Sequence, residues 1–148
     1  MFNPSVDDVR RFFCETWRKH SEGNVLSPLE ALAADAIVAH PEYHDELTDL
    51  EAALARNYAV EDGRTNPFLH LAMHLAIAEQ VQADQPHGIR SVYLQLAARR
   101  GSEHDAMHEI MEALSRVIWE AQRGATPLGA EEMSGRYLDA LKARASRD

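Results

Sequence analysis

Six of the eight histidines fall in pairs spaced four residues apart. The pairs are His40 with His44, His70 with His74, and His104 with His108. A random arrangement of eight histidines over this length gives about 0.4 such pairs. Residues four apart on an α-helix project from one face, one turn apart. Two imidazoles at this spacing can hold one metal ion, or one each of two neighbouring ions, so the pattern predicts a metal site built on helices.

The middle pair lies in a segment, residues 67–83, that is apolar almost all the way round a helix. Such a helix belongs in the middle of a bundle. His70 and His74 share a helix face with Ile77, so we expect both imidazoles to be buried. A buried neutral imidazole needs partners for its nitrogens. A metal ion would satisfy one nitrogen, and a hydrogen-bond acceptor would satisfy the other.

The third pair extends into a ladder on one helix: His104, His108 and Glu112 follow one another at four-residue steps. This ladder borders the apolar stripe of its helix rather than lying within it. That position is consistent with a metal site at the rim of a core, and equally with a solvated polar face.

The first pair is interrupted by Pro41, which disfavours helix at His40. His40 and His44 therefore need not share a helix, and the acidic neighbours Glu42 and Asp45 are also typical of a surface loop. We include both histidines as candidate ligands, which could converge with the other pairs only through the tertiary fold.

The candidate metal ligands are thus His70, His74, His104, His108, Glu112, His40 and His44. Imidazole donors suit zinc and iron, and an added carboxylate shifts the preference towards iron or manganese. If the pairs share ions, nitrogens of the second and third pairs must lie within roughly 4–8 Å of each other. The sequence designates no catalytic residue and leaves open whether the protein is an enzyme. The alternative is a metal-free interaction or structural module whose histidines are scaffold.

Helical periodicity dominates the chain, and no segment has confident strand patterning. Helices are predicted over residues 6–20, 28–39, 41–56, 67–83, 89–100, 103–123 and 131–145. Four starts carry a capping residue, namely Ser5, Ser27, Asn66 and Ser102. We therefore predict an all-α, single-domain helical bundle of six to seven helices with the 67–83 helix at its centre. Residues 1–123 form the bundle, and residues 124–148 add a loop and a last helix.

Net charge is −9, and the imbalance is mostly N-terminal: residues 1–74 contain 6 basic and 13 acidic side chains. Such acidity argues against nucleic-acid binding and against an anionic membrane surface. It allows a basic protein partner or a homo-oligomer. The single cysteine, Cys14, and the lack of a signal-like N-terminus favour a cytoplasmic protein.

Four segments together resemble a bacterial family, the Domain of Unknown Function 1841 family. They are HPEYH at 40–44, NPFLHLAMHLAIAEQ at 66–80, DQPHGIR at 84–90 and WEAQR at 119–123. The resemblance covers about residues 1–123, leaves the tail outside, and implies a small helical fold without an established activity. The histidine pairs also resemble those of haemerythrin-like and other diiron bundles, which implies a dinuclear site. However, the order of pairs differs and no Glu-x-x-His motif occurs.

Overall fold

The computed structural model describes residues 5–56, 58, 66–124 and 128–146. Within these ranges the chain forms eight α-helices and one short 3₁₀ turn, and no strand. The helices are α1 (Val6–Ser21), α2 (Pro28–Val38), α3 (His44–Thr48), α4 (Leu50–Ala55), α5 (Pro67–Ala83), α6 (Ile89–Arg100), α7 (Glu103–Arg123) and α8 (Ala130–Ala145); the 3₁₀ turn is Pro41–Tyr43. The all-α prediction is confirmed, and the helix count is slightly higher than expected.

Hydrogen bonds at the helix starts follow the sequence signals. Ser5 and Ser27 each accept a backbone N–H of the first turn and form capping boxes with Asp8 and Glu30. The Asn66 side-chain oxygen accepts the N–H groups of the second and third residues of α5, and the Ser102 hydroxyl accepts the N–H of Asp105 at the start of α7. These side chains satisfy N–H groups that have no partner within the helix, so they set where each helix begins.

The predicted third helix, residues 41–56, is wrong as a continuous element. It divides into the 3₁₀ turn and two short helices, α3 and α4. The second break lies at Asp49, whose backbone is extended and whose carboxylate accepts the N–H of Ala52. An aspartate that caps a new helix competes with continuation of the preceding one, and it adds a helix to the predicted number.

The chain divides into two compact units, Met1–Leu75 and Ala76–Asp148, with the boundary inside α5. In the first unit α1 packs against α2, α3 and α4. Its core consists of Phe13, Cys14, Ala33, Ile37, Leu47, Ala53, Phe68 and Leu71. Arg10 is buried and donates to the carbonyls of Ala53 and Arg56, both at 2.7 Å, so it binds the end of α4 to α1.

In the second unit α6, α7 and α8 pack against one another. Buried side chains of this unit include Ile77, Ile89, Leu96, Ile110 and Leu141. Tyr137 of α8 donates its hydroxyl to Gln80 of α5 at 2.8 Å. None of the described helices is long and apolar enough to cross a membrane. The predicted domain boundaries and the central position of α5 stay predictions.

Candidate metal centre

Three imidazoles meet in the first unit: His40, which follows α2, and His70 and His74 on α5. Their ring centroids form a triangle with sides of 4.9, 4.5 and 4.9 Å, and each pair of rings is inclined by 62–75°. One nitrogen from each ring lies within 4.8 Å of one nitrogen from each of the others. A metal–nitrogen distance of about 2.1 Å places the nitrogens of a tetrahedral site about 3.4 Å apart, so small inward movements would bring all three onto one ion.

Burial separates these rings from bulk water. His40 is 2% exposed and His74 is 4% exposed, while His70 is partly buried. The prediction that this pair lies on a buried face of α5 is therefore confirmed for His74 and holds in part for His70. Leu69 on the same helix is an exception to its apolar pattern, because it is 60% exposed.

The end of α2 sets the orientation of the His40 ring. Nδ1–H of His40 donates to the carbonyl of Ala36 at 2.7 Å, because a carbonyl can only accept. That bond places a proton on Nδ1, so Nε2 is the nitrogen through which the neutral ring can bind a metal. Nε2 of His40 lies 3.2 Å from Nε2 of His70. A backbone acceptor on one ring nitrogen and a lone pair on the other is the usual arrangement of a metal-binding histidine.

Tyr43, the last residue of the 3₁₀ turn, packs on the same cluster. Its ring is nearly parallel to that of His40, with centroids 5.5 Å apart, and meets His70 edge-on at 5.8 Å. Burial, with the nearby carboxylates of Glu42 and Glu46, raises the pKa of Tyr43, so the phenol stays neutral. The sequence reasoning did not select Tyr43; its position within the HPEYH segment, between two histidines, was the available signal.

His44 does not join the other imidazoles. Its Nε2–H donates to the carbonyl of Ile37 at 2.8 Å, and its ring lies 4.2 Å from that of Trp17. The first histidine pair is divided because His40 has a non-helical backbone, with φ −127° and ψ 67°, before the 3₁₀ turn. The two side chains therefore do not share a helix face, and His44 binds the end of α2 instead.

The third pair lies in the second unit, on α7. The rings of His104 and His108 are 4.2 Å apart and inclined by 72°, and both side chains are partly buried. Glu112 extends outwards: its side chain is 73% exposed and accepts from Arg144 of α8 at 3.3 Å. Among the described residues, no carboxylate lies close enough to the three imidazoles to share an ion with them.

Comparison with known proteins identifies a family but no activity. No curated protein and no solved structure matches the chain. The profile described as "Domain of unknown function (DUF1841)" matches residues 5–143. The match runs beyond residue 123 into α8, so the expectation that the tail lies outside the family is wrong. The chain belongs to this family over nearly its whole length.

Proposed function

We propose that the protein binds one divalent transition-metal ion through the imidazoles of His40, His70 and His74. The observation that carries the proposal is the 3.2 Å separation between Nε2 of His70 and Nε2 of His40, whose ring donates to the backbone through its other nitrogen, Nδ1. The third ring, that of His74, is also buried and offers a nitrogen within 4.8 Å of the nitrogens of the other two. Three imidazoles whose nitrogens lie this close together form a donor set for a cation.

Zinc is the metal that these donors favour. Imidazole nitrogens suit Zn²⁺, which prefers four-coordinate geometry. Iron and manganese would gain from a carboxylate, and the carboxylate predicted for that role, Glu112, pairs with Arg144. A group made of imidazoles alone supports a single ion better than the dinuclear site implied by the diiron bundles.

A tetrahedral ion needs a fourth donor, which a water molecule supplies in zinc sites that have three protein ligands. The roles predicted for His104 and His108 stay predictions.

A metal-free scaffold is the second candidate. The distance between His40 and His70 is also that of a hydrogen bond from an N–H to a ring nitrogen. In that case His70 donates to His40, and the cluster contributes only to stability. The two functions differ in one respect, which is whether a cation occupies the space between the rings.

Isothermal titration calorimetry with Zn²⁺ tests the proposal on protein first dialysed against EDTA. We expect wild type to bind one equivalent, and His70→Ala and His74→Ala to weaken binding by about 100-fold or more. His44→Ala is the matched control, because it also removes an imidazole but one that bonds the carbonyl of Ile37. This variant should retain wild-type affinity for Zn²⁺. Circular dichroism of each variant confirms that it retains its helical content. Wild type that takes up no Zn²⁺, or a His74→Ala variant that binds as wild type does, would refute the site.

A further inference from the structure

A groove of about 400 Å³ lies in the first unit, where α1 faces α3 and α4. Four apolar side chains of its lining, which we call the floor, are those of Trp17, Leu47, Leu50 and Cys14. The volume lies within the range of about 300–1,000 Å³ that is typical of ligand-binding pockets. None of the three candidate metal ligands of this unit lines it, so this site is independent of the metal centre.

Two neighbouring rings hold Trp17 in the floor of the groove. Trp17 stacks on His20, with ring centroids 5.6 Å apart, and packs against the tilted ring of His44, with centroids 4.2 Å apart. Nε2–H of His44 donates to the carbonyl of Ile37, which fixes the position of the His44 ring. An aromatic floor that is already ordered loses little entropy when a ligand covers it.

Negative charge surrounds this apolar floor. Glu15 lines the groove, and Asp49 begins α4 beside Leu50. Arg18, the one basic residue of the lining, is neutralised by Glu22 at 2.8 Å. Burial, Asp49 and Glu15 together raise the pKa of Cys14 to about 11, which indicates that both carboxylates act on the floor. Besides Asp49, the segment 42–51 contains four acids and no lysine or arginine, and one of the four, Glu46, pairs with Arg56 at 3.2 Å.

We propose that this groove binds a basic amphipathic helix of a partner protein. Apolar side chains at the i, i+3 and i+4 positions of such a helix would occupy the floor, and its flanking lysines and arginines would face Glu15 and Asp49. Charge selects the partner. A second copy of this chain also carries a net charge of −9 and is repelled, whereas a cationic helix is attracted to the acidic rim and steered towards it.

Intrinsic fluorescence can report on the groove directly. The chain has two tryptophans, so Trp119→Phe leaves Trp17 as the only one. The probe is a designed helical peptide with leucines on one face and lysines on the other, titrated into Trp119→Phe protein. We expect saturable 1:1 binding that changes Trp17 emission and weakens as salt is raised. An analogue with every lysine replaced by glutamate should not bind.

Substitutions locate the binding. We expect Glu15→Lys to weaken the basic peptide at least about tenfold. The matched control, Glu131→Lys on α8, makes the same change of charge in the other unit and should leave affinity unchanged. Equal weakening by both variants means attraction to overall charge only, and overturns the site. So does an unchanged Trp17 emission, tight binding of the acidic analogue, or a dimer in ultracentrifugation that Glu15→Lys dissociates.

Discussion

Nε2 of His40 and Nε2 of His70 lie 3.2 Å apart, although 30 residues separate the two histidines in the sequence. Two ring nitrogens reach this distance either by sharing a proton or by directing two lone pairs at one cation. Because Nδ1–H of His40 donates to the carbonyl of Ala36, a proton shared between the two Nε2 atoms of neutral rings would come from His70. The expected behaviour of the cluster follows from that assignment.

The tautomer of His40 is the first prediction. Long-range ¹H–¹⁵N NMR of the apo protein should show a protonated Nδ1 and an unprotonated Nε2 for His40, with Nε2 shifting when Zn²⁺ is added. Acid should release the ion, because imidazole binds metal only when neutral, so binding at about pH 7.5 should be lost at about pH 5.5. A protonated Nε2 in the apo protein at neutral pH would contradict the assignment.

The stability of His74→Ala should depend on the metal. With Zn²⁺ present at about 100 times its Kd, the ion adds about 2.7 kcal/mol to the native state. The variant loses this contribution, together with about 1–3 kcal/mol for its cavity and the neighbours that lose a partner. Urea unfolding with EDTA should therefore narrow the gap between variant and wild type.

His87→Ala is the control for this measurement, because that side chain is 95% exposed. It should change the free energy of unfolding by no more than about 0.5 kcal/mol, with or without EDTA. A gap between His74→Ala and wild type that EDTA leaves unchanged would indicate histidines that act as scaffold alone.

Asp49 should determine the break between α3 and α4. Asp49→Ala removes the acceptor for the N–H of Ala52 and should destabilise the protein by about 1 kcal/mol in thermal or urea unfolding. Asp49→Asn retains an acceptor and should be close to wild type. If the alanine variant is as stable as the asparagine variant, the cap does not stabilise α4.

Cys14 should be unreactive in the native protein. Burial and two carboxylates hold the pKa of its thiol at about 11, so the nucleophilic thiolate is scarce at about pH 8. Ellman's reagent should label Cys14 slowly in buffer and rapidly in urea, and the absorbance of the released product measures the rate. Fast stoichiometric labelling of folded protein would show that the thiol is neither buried nor held neutral.

Local signals predicted much of the helical structure. Asn66 with Pro67, Gly88, Gly101 and Ser102 mark helix ends, and the observed bounds of α5, α6 and α7 equal the predicted ones. The failure at residues 41–56 has a local cause too: Asp49 is one of several acids there, and nothing in the helical periodicity distinguishes the one that caps. The free-energy difference between capping a new helix and continuing the preceding one is too small to predict from the residue composition.

The candidate site was only partly accessible from the sequence. The excess of four-residue spacings selected His70 and His74, whose convergence on one face follows from helix geometry. The four-residue spacing wrongly grouped His44 with His40, because residues four apart share a face only within a helix, and His40 and Pro41 are not part of an α-helix. The meeting of His40 with α5 depends on how α2 ends against the first unit's core, and spacing along the chain carries no information about that.

Whether the three imidazoles hold a cation is decided by metal analysis of protein purified without a histidine tag and without added metal. Elemental mass spectrometry should find close to one zinc per chain in wild type and in His44→Ala, and strongly reduced zinc in His70→Ala and His74→Ala. Wild type free of any transition metal, and still free of it after incubation with Zn²⁺ and desalting, would contradict the proposed metal site.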